Sequence, residues 1–292
     1  MKKQVPRLFA AGLFLVAALA YAQPAAAPPA QAASPKRILF VGNSYTYFNN
    51  LPAVLEQLAN NVQPGSLETK MVVAGGATLK SLWENGEALK SIQQGGWTYV
   101  VLQEQSTLGT SPRENGIPQI NDPAMFFEYA RRFDAEIHKA GAKTVFYLTW
   151  ARRDSPQNQA KLTAAYSSIA KELGAVLVPV GPAWEISIHD KPGIALHQVD
   201  NSHPTPSGTY LAACVFYAVL FKRNPAGLSA QVTGKPVDMA GRVLEAESHG
   251  LLSSPATVAL IDLGPEDAHF LQAIAWQFRL PGYEGSSVVH QR

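Results

Sequence analysis

The chain predicts an α/β protein: a parallel sheet covered by helices on both faces, three layers in all. Three observations carry this. Short apolar runs at 37–41, 67–73, 97–102, 144–149 and 176–180 alternate with longer stretches whose apolar residues recur at helical spacing. The run at 97–102 is Val-rich and nearly continuous in apolar character, as a strand covered on both faces must be. Regular strand-helix alternation without an internal repeat is the pattern of parallel strands joined by crossover helices. With 292 residues, 47% hydrophobic and 16% charged, the chain is long enough for one domain with a sizeable core.

The first residues read as an address. Lys2, Lys3 and Arg7 precede an apolar run at 8–20, and Ala20-Tyr21-Ala22 is a small-x-small cleavage signal, so residues 1–22 are expected to be a secretory signal peptide cut near Ala22. The run is shorter than the ~20 residues a bilayer requires, so no stable membrane insertion is expected after cleavage. Without residues 1–22, Lys+Arg falls from 24 to 21 against Asp+Glu 22, a formal charge of −1. The remaining basic residues are scattered, which points away from nucleic acid. Residues 23–35 form an Ala/Pro-rich leader, 36–281 the folded domain with a C-terminal helical extension, and 282–292 a flexible tail. The expected location is the periplasm or the extracellular space. Cys214, the only cysteine, sits in an apolar segment and reads as a buried, inert thiol, and no cysteine follows the signal to carry a lipid. The sequence does not specify an oligomeric state.

In chain order, the strand at 37–41 stops at Gly42-Asn43-Ser44 and gives way to a helix at 51–60 with Leu51, Val54, Leu55 and Leu58 on one face. The strand at 67–73 ends in Ala74-Gly75-Gly76-Ala77-Thr78, and one helix is expected over 79–93. The third strand ends in Gln103-Glu104-Gln105-Ser106. The connection at 107–123 is long for a compact domain and is placed to overhang the site. A helix at 124–139 stops near Gly141, a strand follows at 144–149, a helix at 158–173 stops at Gly174, and the last strand is 176–180. Residues 182–198 read as irregular or as a short helix leading to Asp200-Asn201-Ser202-His203-Pro204. An apolar helix then runs to about residue 221. Beyond 225 only a helix at 265–278 is legible, with Pro265 in its first turn, an appended part of the same domain.

In parallel α/β sheets ligands gather at the carboxyl ends of the strands, where Ser44 stands as candidate nucleophile. Its hydroxyl needs a base, and the base needs a group that fixes its tautomer. Asp200 and His203 supply both from one loop, with Asp200 expected on the histidine's distal nitrogen and the proximal one facing Ser44. Charge on a substrate carbonyl would meet the N–H of Ser44, the N–H of Gly75 or Gly76, and the side-chain amide of Gln103 or Gln105. His189, Asp190 and His197 are ligand types, but their spacing matches no helix-borne metal pair, so neither metal nor cofactor is expected. Arg152 and Arg153 fall on the same sheet edge, to bind a polar substrate or simply to be solvated. Tyr45 and Tyr47 line a pocket or pack. An α/β-hydrolase elbow would have Gly where Thr46 stands.

These residues resemble the SGNH hydrolases, the GDSL-like esterases and lipases. Gly42-Asn43-Ser44 is similar to the family's Gly-Asp-Ser turn, Gly76-Ala77-Thr78 to its second-block Gly-Asp-Thr, and Asp200 to Pro204 to its Asp-x-x-His-Pro. The third block departs: Leu102-Gln103-Glu104-Gln105-Ser106 replaces Gly-x-Asn-Asp. The resemblance covers about residues 37–221 and favours Gly76 and Gln105 within the pairs left open above. It implies a flavodoxin-like α/β/α fold, a secreted bacterial branch, and a serine esterase acting on a small-molecule or polysaccharide ester, carbohydrate O-acetyl groups foremost. The alternative from another class is a catalytically silent glycan-binding module on the same fold.

Overall fold

A central strand, β1 (Lys36–Gly42), carries a parallel neighbour on each side, and its residue alternation sorts the core into two layers. The computed structural model describes residue 1 and residues 34–109, 113–244 and 257–279, so the expected signal peptide apart from Met1, nearly all of the leader and the tail at 282–292 lie outside the described residues. After β1 come α1 (Ser44–Tyr47), α2 (Leu51–Val62), β2 (Leu67–Val73), α3 (Leu79–Asn85), α4 (Glu87–Gln93), β3 (Tyr99–Leu102) and a small hairpin of β4 (Arg113–Glu114) and β5 (Ile117–Pro118). There follow α5 (Ala124–Lys139), β6 (Lys143–Leu148), α6 (Gln159–Leu173), β7 (Val176–Pro179), α7 (Val180–Asp190), α8 (Pro206–Phe221), β8 (Gln231–Gly234), β9 (Val258–Asp262) and α9 (Pro265–Gln277).

The main sheet has the order β2-β1-β3-β6-β7, all parallel. This is the flavodoxin-like order, whose switch point lies between the first and third strands, beside Ser44. Successive side chains of a strand face opposite ways. Ile38 and Phe40, with Val101 and Tyr147, pack against Leu55 of α2, Phe216 of α8 and Leu271 of α9. Leu39 and Val41, with Val100 and Phe146, pack against Leu82 of α3, Phe133 of α5 and Ile169 of α6. Helix α8 is buried nearly all round, Cys214 included, which explains its uninterrupted apolar sequence. Among the described residues no helix is long and apolar enough to cross a membrane.

Two expectations are corrected, one is decided between its alternatives, and one stretch gains elements. The helix at 79–93 is two helices, because Gly86 takes φ +82°, caps α3 through its N–H to Trp83 O, and starts α4 in a new direction. The third strand begins at Tyr99 rather than Trp97, whose indole N–H donates to Ser91 O at 2.7 Å after the left-handed pair Gly95 and Gly96. Of the two readings of 182–198, irregular or a short helix, the helix holds as α7, which Pro182 enters in its first turn, where a missing N–H costs nothing. Residues beyond 225 add an antiparallel pair, β8 with β9, besides α9, whose Gln272 amide donates to Tyr210 OH and Leu228 O in α8's neighbourhood.

Candidate active site

The turn after β1 is organised by Asn43. Its Oδ1 accepts from Tyr45 N–H, capping α1, its Nδ2 donates to Ala77 O in the loop after β2, and its backbone N–H donates to Gln103 Oε1 after β3 at 2.9 Å. Three strand ends are thereby tied together around Ser44. Gly42 is required here: a Cβ would sit 2.6 Å from both Gln103 Oε1 and Thr46 Oγ1. Ser44 opens α1, so its N–H has no acceptor within the helix.

The partner loop is folded by Asp200. Its Oδ1 accepts the N–H groups of Ser202 at 2.9 Å and His203 at 3.0 Å, while Oδ2 accepts from His203 Nδ1 at 2.5 Å. His203 Nε2 lies 2.9 Å from Ser44 Oγ across 159 residues of chain. The nitrogens are therefore reversed from the sequence expectation: Asp200 holds the near one, Nδ1, and the far one, Nε2, meets the serine. The reason is local, since a carboxylate pinned to the N–H of His203 reaches only the ring nitrogen nearest the backbone. Partial burial pushes the Asp200 carboxyl up, but the His203 side chain and the N–H groups of His203 and Ser202 outweigh it and hold it at about 2. An ionised carboxylate accepts only, so Nδ1 carries the proton and neutral Nε2 is left to accept from the Ser44 hydroxyl.

Asn49, Phe48 and Trp150, which sequence reasoning missed, fix this pair together with Tyr45, which it had placed in a pocket or in packing. Asn49, at φ +49°, donates from Nδ2 to Pro204 O at 3.1 Å and Thr209 Oγ1 at 2.9 Å, stapling the serine turn to the histidine loop. The Phe48 ring stacks on the His203 imidazole with centroids 4.1 Å apart. Tyr45 stacks on Trp150, whose indole donates to Ser202 O, and Tyr45 OH shares a 2.8 Å hydrogen bond with Ser202 Oγ. The available signal was the cluster of aromatic and Asn residues immediately after Ser44, since Asn is the non-glycine residue that best tolerates positive φ.

A pocket of about 180 Å³ opens over Ser44 and His203, with Gly76, Gln105, Ser106 and Arg152 in its lining. Of the two glycines, Gly76 (φ +65°) lines the pocket, and its N–H makes no hydrogen bond among the described residues. Gly75 does not line the pocket, and a Cβ there would lie 3.4 Å from the Tyr47 hydroxyl and 3.7 Å from Met239 O. Of the two glutamines, Gln103 is fully buried and committed: Oε1 takes Asn43 N–H and the Thr46 hydroxyl, and Nε2 donates to Glu104 O. It holds the turn from behind and is corrected as a pocket donor. Gln105 has its Oε1 held by Thr107 N–H and hydroxyl, both at 2.7 Å, which leaves Nε2 with only a 3.2 Å contact to Ser106 Oγ.

Arg152 reaches the pocket, donating from Nη1 to Ser202 Oγ at 2.9 Å, whereas Arg153 contributes its backbone N–H to Asn201 O and does not line it. Tyr47 donates to Met239 O outside the pocket. His189 pairs with Asp190, and His197 is buried between Trp184 and Ala151 O, so His189, His197 and His203 have separate partners. None of the described residues of the 107–123 connection lines the pocket; Leu108, Ile120, Asn121 and Pro123 line a separate groove against α5 and α6.

No family model matches the chain, and no curated protein matches it. Solved structures do. A protein of Slackia heliotrinireducens assigned to the SGNH hydrolases is 26% identical over 61% of this chain and 95% of its own, with a TM-score of 0.50. A point variant of Axe2, an acetyl-xylooligosaccharide esterase of Geobacillus stearothermophilus, is 14% identical over 63% of this chain and 93% of its own, with a TM-score of 0.51. LAE5, an alpha/beta hydrolase enzyme from the metagenome of Lake Arreo, Spain, is 15% identical over 64% and 95%, with a TM-score of 0.51. The last two likenesses are of fold.

Proposed function

The chain belongs to the SGNH hydrolase superfamily, and from that premise we propose that it is a serine ester hydrolase working through an acyl-enzyme on Ser44. One observation carries the reading: the 2.9 Å approach of His203 Nε2 to Ser44 Oγ, with Asp200 on the opposite ring nitrogen. Ser44 Oγ attacks the ester carbonyl while Nε2 takes its proton, and Asp200 stabilises the imidazolium. The N–H groups of Ser44 and Gly76 and the Gln105 amide stand as donors to the tetrahedral oxyanion. His203 then gives its proton to the departing alcohol, and a water activated by the same nitrogen returns the acid and free Ser44.

A cavity of about 180 Å³ is smaller than the ~300 Å³ at which drug-sized ligand sites begin, which favours a short acyl group such as acetyl. Its polar lining of Ser106 and Arg152 favours a hydrophilic alcohol, and carbohydrate O-acetyl esters meet both conditions. Axe2 carries the acetyl-xylooligosaccharide esterase activity on the same fold. Secretion to the periplasm or beyond belongs to the proposal, motivated by Lys2, Lys3, Arg7 and the apolar run after them. Replacing Ser44 by Ala is expected to lower turnover of a chromogenic acetate ester about 10⁴-fold or more, and a fluorophosphonate probe to label wild-type Ser44. Ligand binding without labelling or turnover would point to the silent glycan-binding module, and wild-type rates from Ser44→Ala would end the assignment.

A further inference from the structure

Glu104 has no part in the proton relay, yet it is among the most deeply embedded acids of the domain. It is 2% exposed, two residues past the end of the buried strand β3, and it makes no ion pair among the described residues. Each of its polar atoms has a partner. Oε1 accepts the backbone N–H of Gln105 at 2.7 Å, and Oε2 accepts that of Leu79 at 3.0 Å. Its own N–H donates to Tyr166 OH on α6, and its carbonyl accepts the Gln103 amide.

The two segments that the carboxylate joins are the ones that supply donors to the pocket. Leu79 is the first residue of α3 and closes the loop holding Gly76, three residues before it. Gln105 is the other lining donor. Resting on the esterase reading above, we propose that Glu104 is a positioning residue that sets the spacing of the oxyanion donors, its two carboxylate oxygens clamping the Gly76 loop to the Gln105 backbone. A carboxylate is the only side chain of this length with two acceptors and no donor, so it satisfies two N–H groups at once. An amide in its place satisfies one and turns an N–H toward the other.

Burial pushes the carboxyl up to about 7, against the pull of the N–H groups of Gln105 and Leu79. The titratable group facing it from the elements packed around it is Tyr166, itself raised by burial and neutral. The clamp therefore needs the ionised form, and protonation removes one of its two acceptors.

The experiment compares Glu104→Gln with wild type, using p-nitrophenyl acetate as substrate and methylboronic acid, which forms a tetrahedral adduct on the serine, as oxyanion probe. The expected result is kcat lower by about 10- to 100-fold, the inhibition constant of the boronic acid higher by the same factor, and KM within about twofold. Glu104→Asp, one methylene short, is expected between the two and serves if the glutamine variant does not fold. The acid limb of the wild-type kcat/KM profile is expected to be steeper than that of Glu104→Gln by one proton. Unchanged kcat and boronate affinity, or a change confined to KM or to melting temperature, would overturn the proposal. Ser44→Ala run in parallel separates the levels: turnover independent of Ser44 removes the esterase reading and this one with it, whereas Ser44-dependent turnover insensitive to Glu104 removes this one alone.

Discussion

Gln103 and Gln105 stand two residues apart, and exchanging each in turn should produce opposite phenotypes. Gln103→Leu keeps the volume of a fully buried side chain but deletes the acceptor of Asn43 N–H and the donor to Glu104 O. Each buried backbone group left without a partner costs about 1–3 kcal/mol, so the loss of folding stability should be roughly 4 kcal/mol. For a domain of this size that lowers Tm by about 8–16 °C. Because the serine turn is also capped by the Asn43 side chain, the folded fraction should keep kcat within about 10-fold of wild type. Gln105→Ala should do the reverse, lowering kcat about 10²–10³-fold through the lost oxyanion donor while Tm moves by no more than about 3 °C, since Gln105 is half-buried and water can reach the Thr107 groups it releases. Thermal denaturation and initial rates on an acetate ester, both normalised to folded protein, decide the matter. A stable Gln103→Leu enzyme with kcat down 10²-fold, beside a near-normal Gln105→Ala, would mean that the donor has been assigned to the wrong glutamine.

Removing the Phe48 ring takes away a stack on His203, so Phe48→Ala should cost about 0.5–1.5 kcal/mol in orientation and lower kcat about 2- to 10-fold; an unchanged kcat would show that the loop alone positions the imidazole. Folding stability should also carry the Glu104 signature. With its folded carboxyl near 7 and an ordinary value of 4.5, the native state holds the proton more tightly, so stability is greatest below pH 4.5 and declines as pH rises towards 7, by on the order of 3 kcal/mol in all. Urea denaturation at several pH values should show this decline in wild type and not in Glu104→Gln, and parallel curves would refute the linkage.

The layers and the order of elements along the chain were legible because the signals are local. Apolar runs of strand length, helical recurrences, and Gly or Pro at the boundaries can be read without knowing what lies across the domain, and β2, α5 and α8 fall where those signals put them. Parallel strands connected by crossovers also send their carboxyl ends to one edge, which is why Ser44, the glycine pair after β2, the glutamine pair after β3 and the Asp200 to His203 loop were readable as one neighbourhood. The motif that failed locally was the 79–93 stretch, where helical periodicity obscured an Asn-Gly stop at Gly86.

What tertiary structure alone decided is the fate of each side chain at that edge. Once β3 ends at Leu102 the strand alternation ceases to dictate direction, and whether Gln103 or Gln105 faces the pocket depends on Asn43 and Thr46, some 60 residues earlier. The choice between Gly75 and Gly76 rests likewise on the folded loop, where Gly76, at φ +65°, lines the pocket and Gly75 does not. The orientation of His203 follows from which backbone N–H groups Asp200 caps, and the hydrogen bond from Leu79 N–H to Glu104 joins residues that the sequence separates by 25 positions. Periodicity and turn chemistry carry no information about hydrogen-bond partners brought together by the sheet, because those are fixed only when buried donors and acceptors must each find a mate.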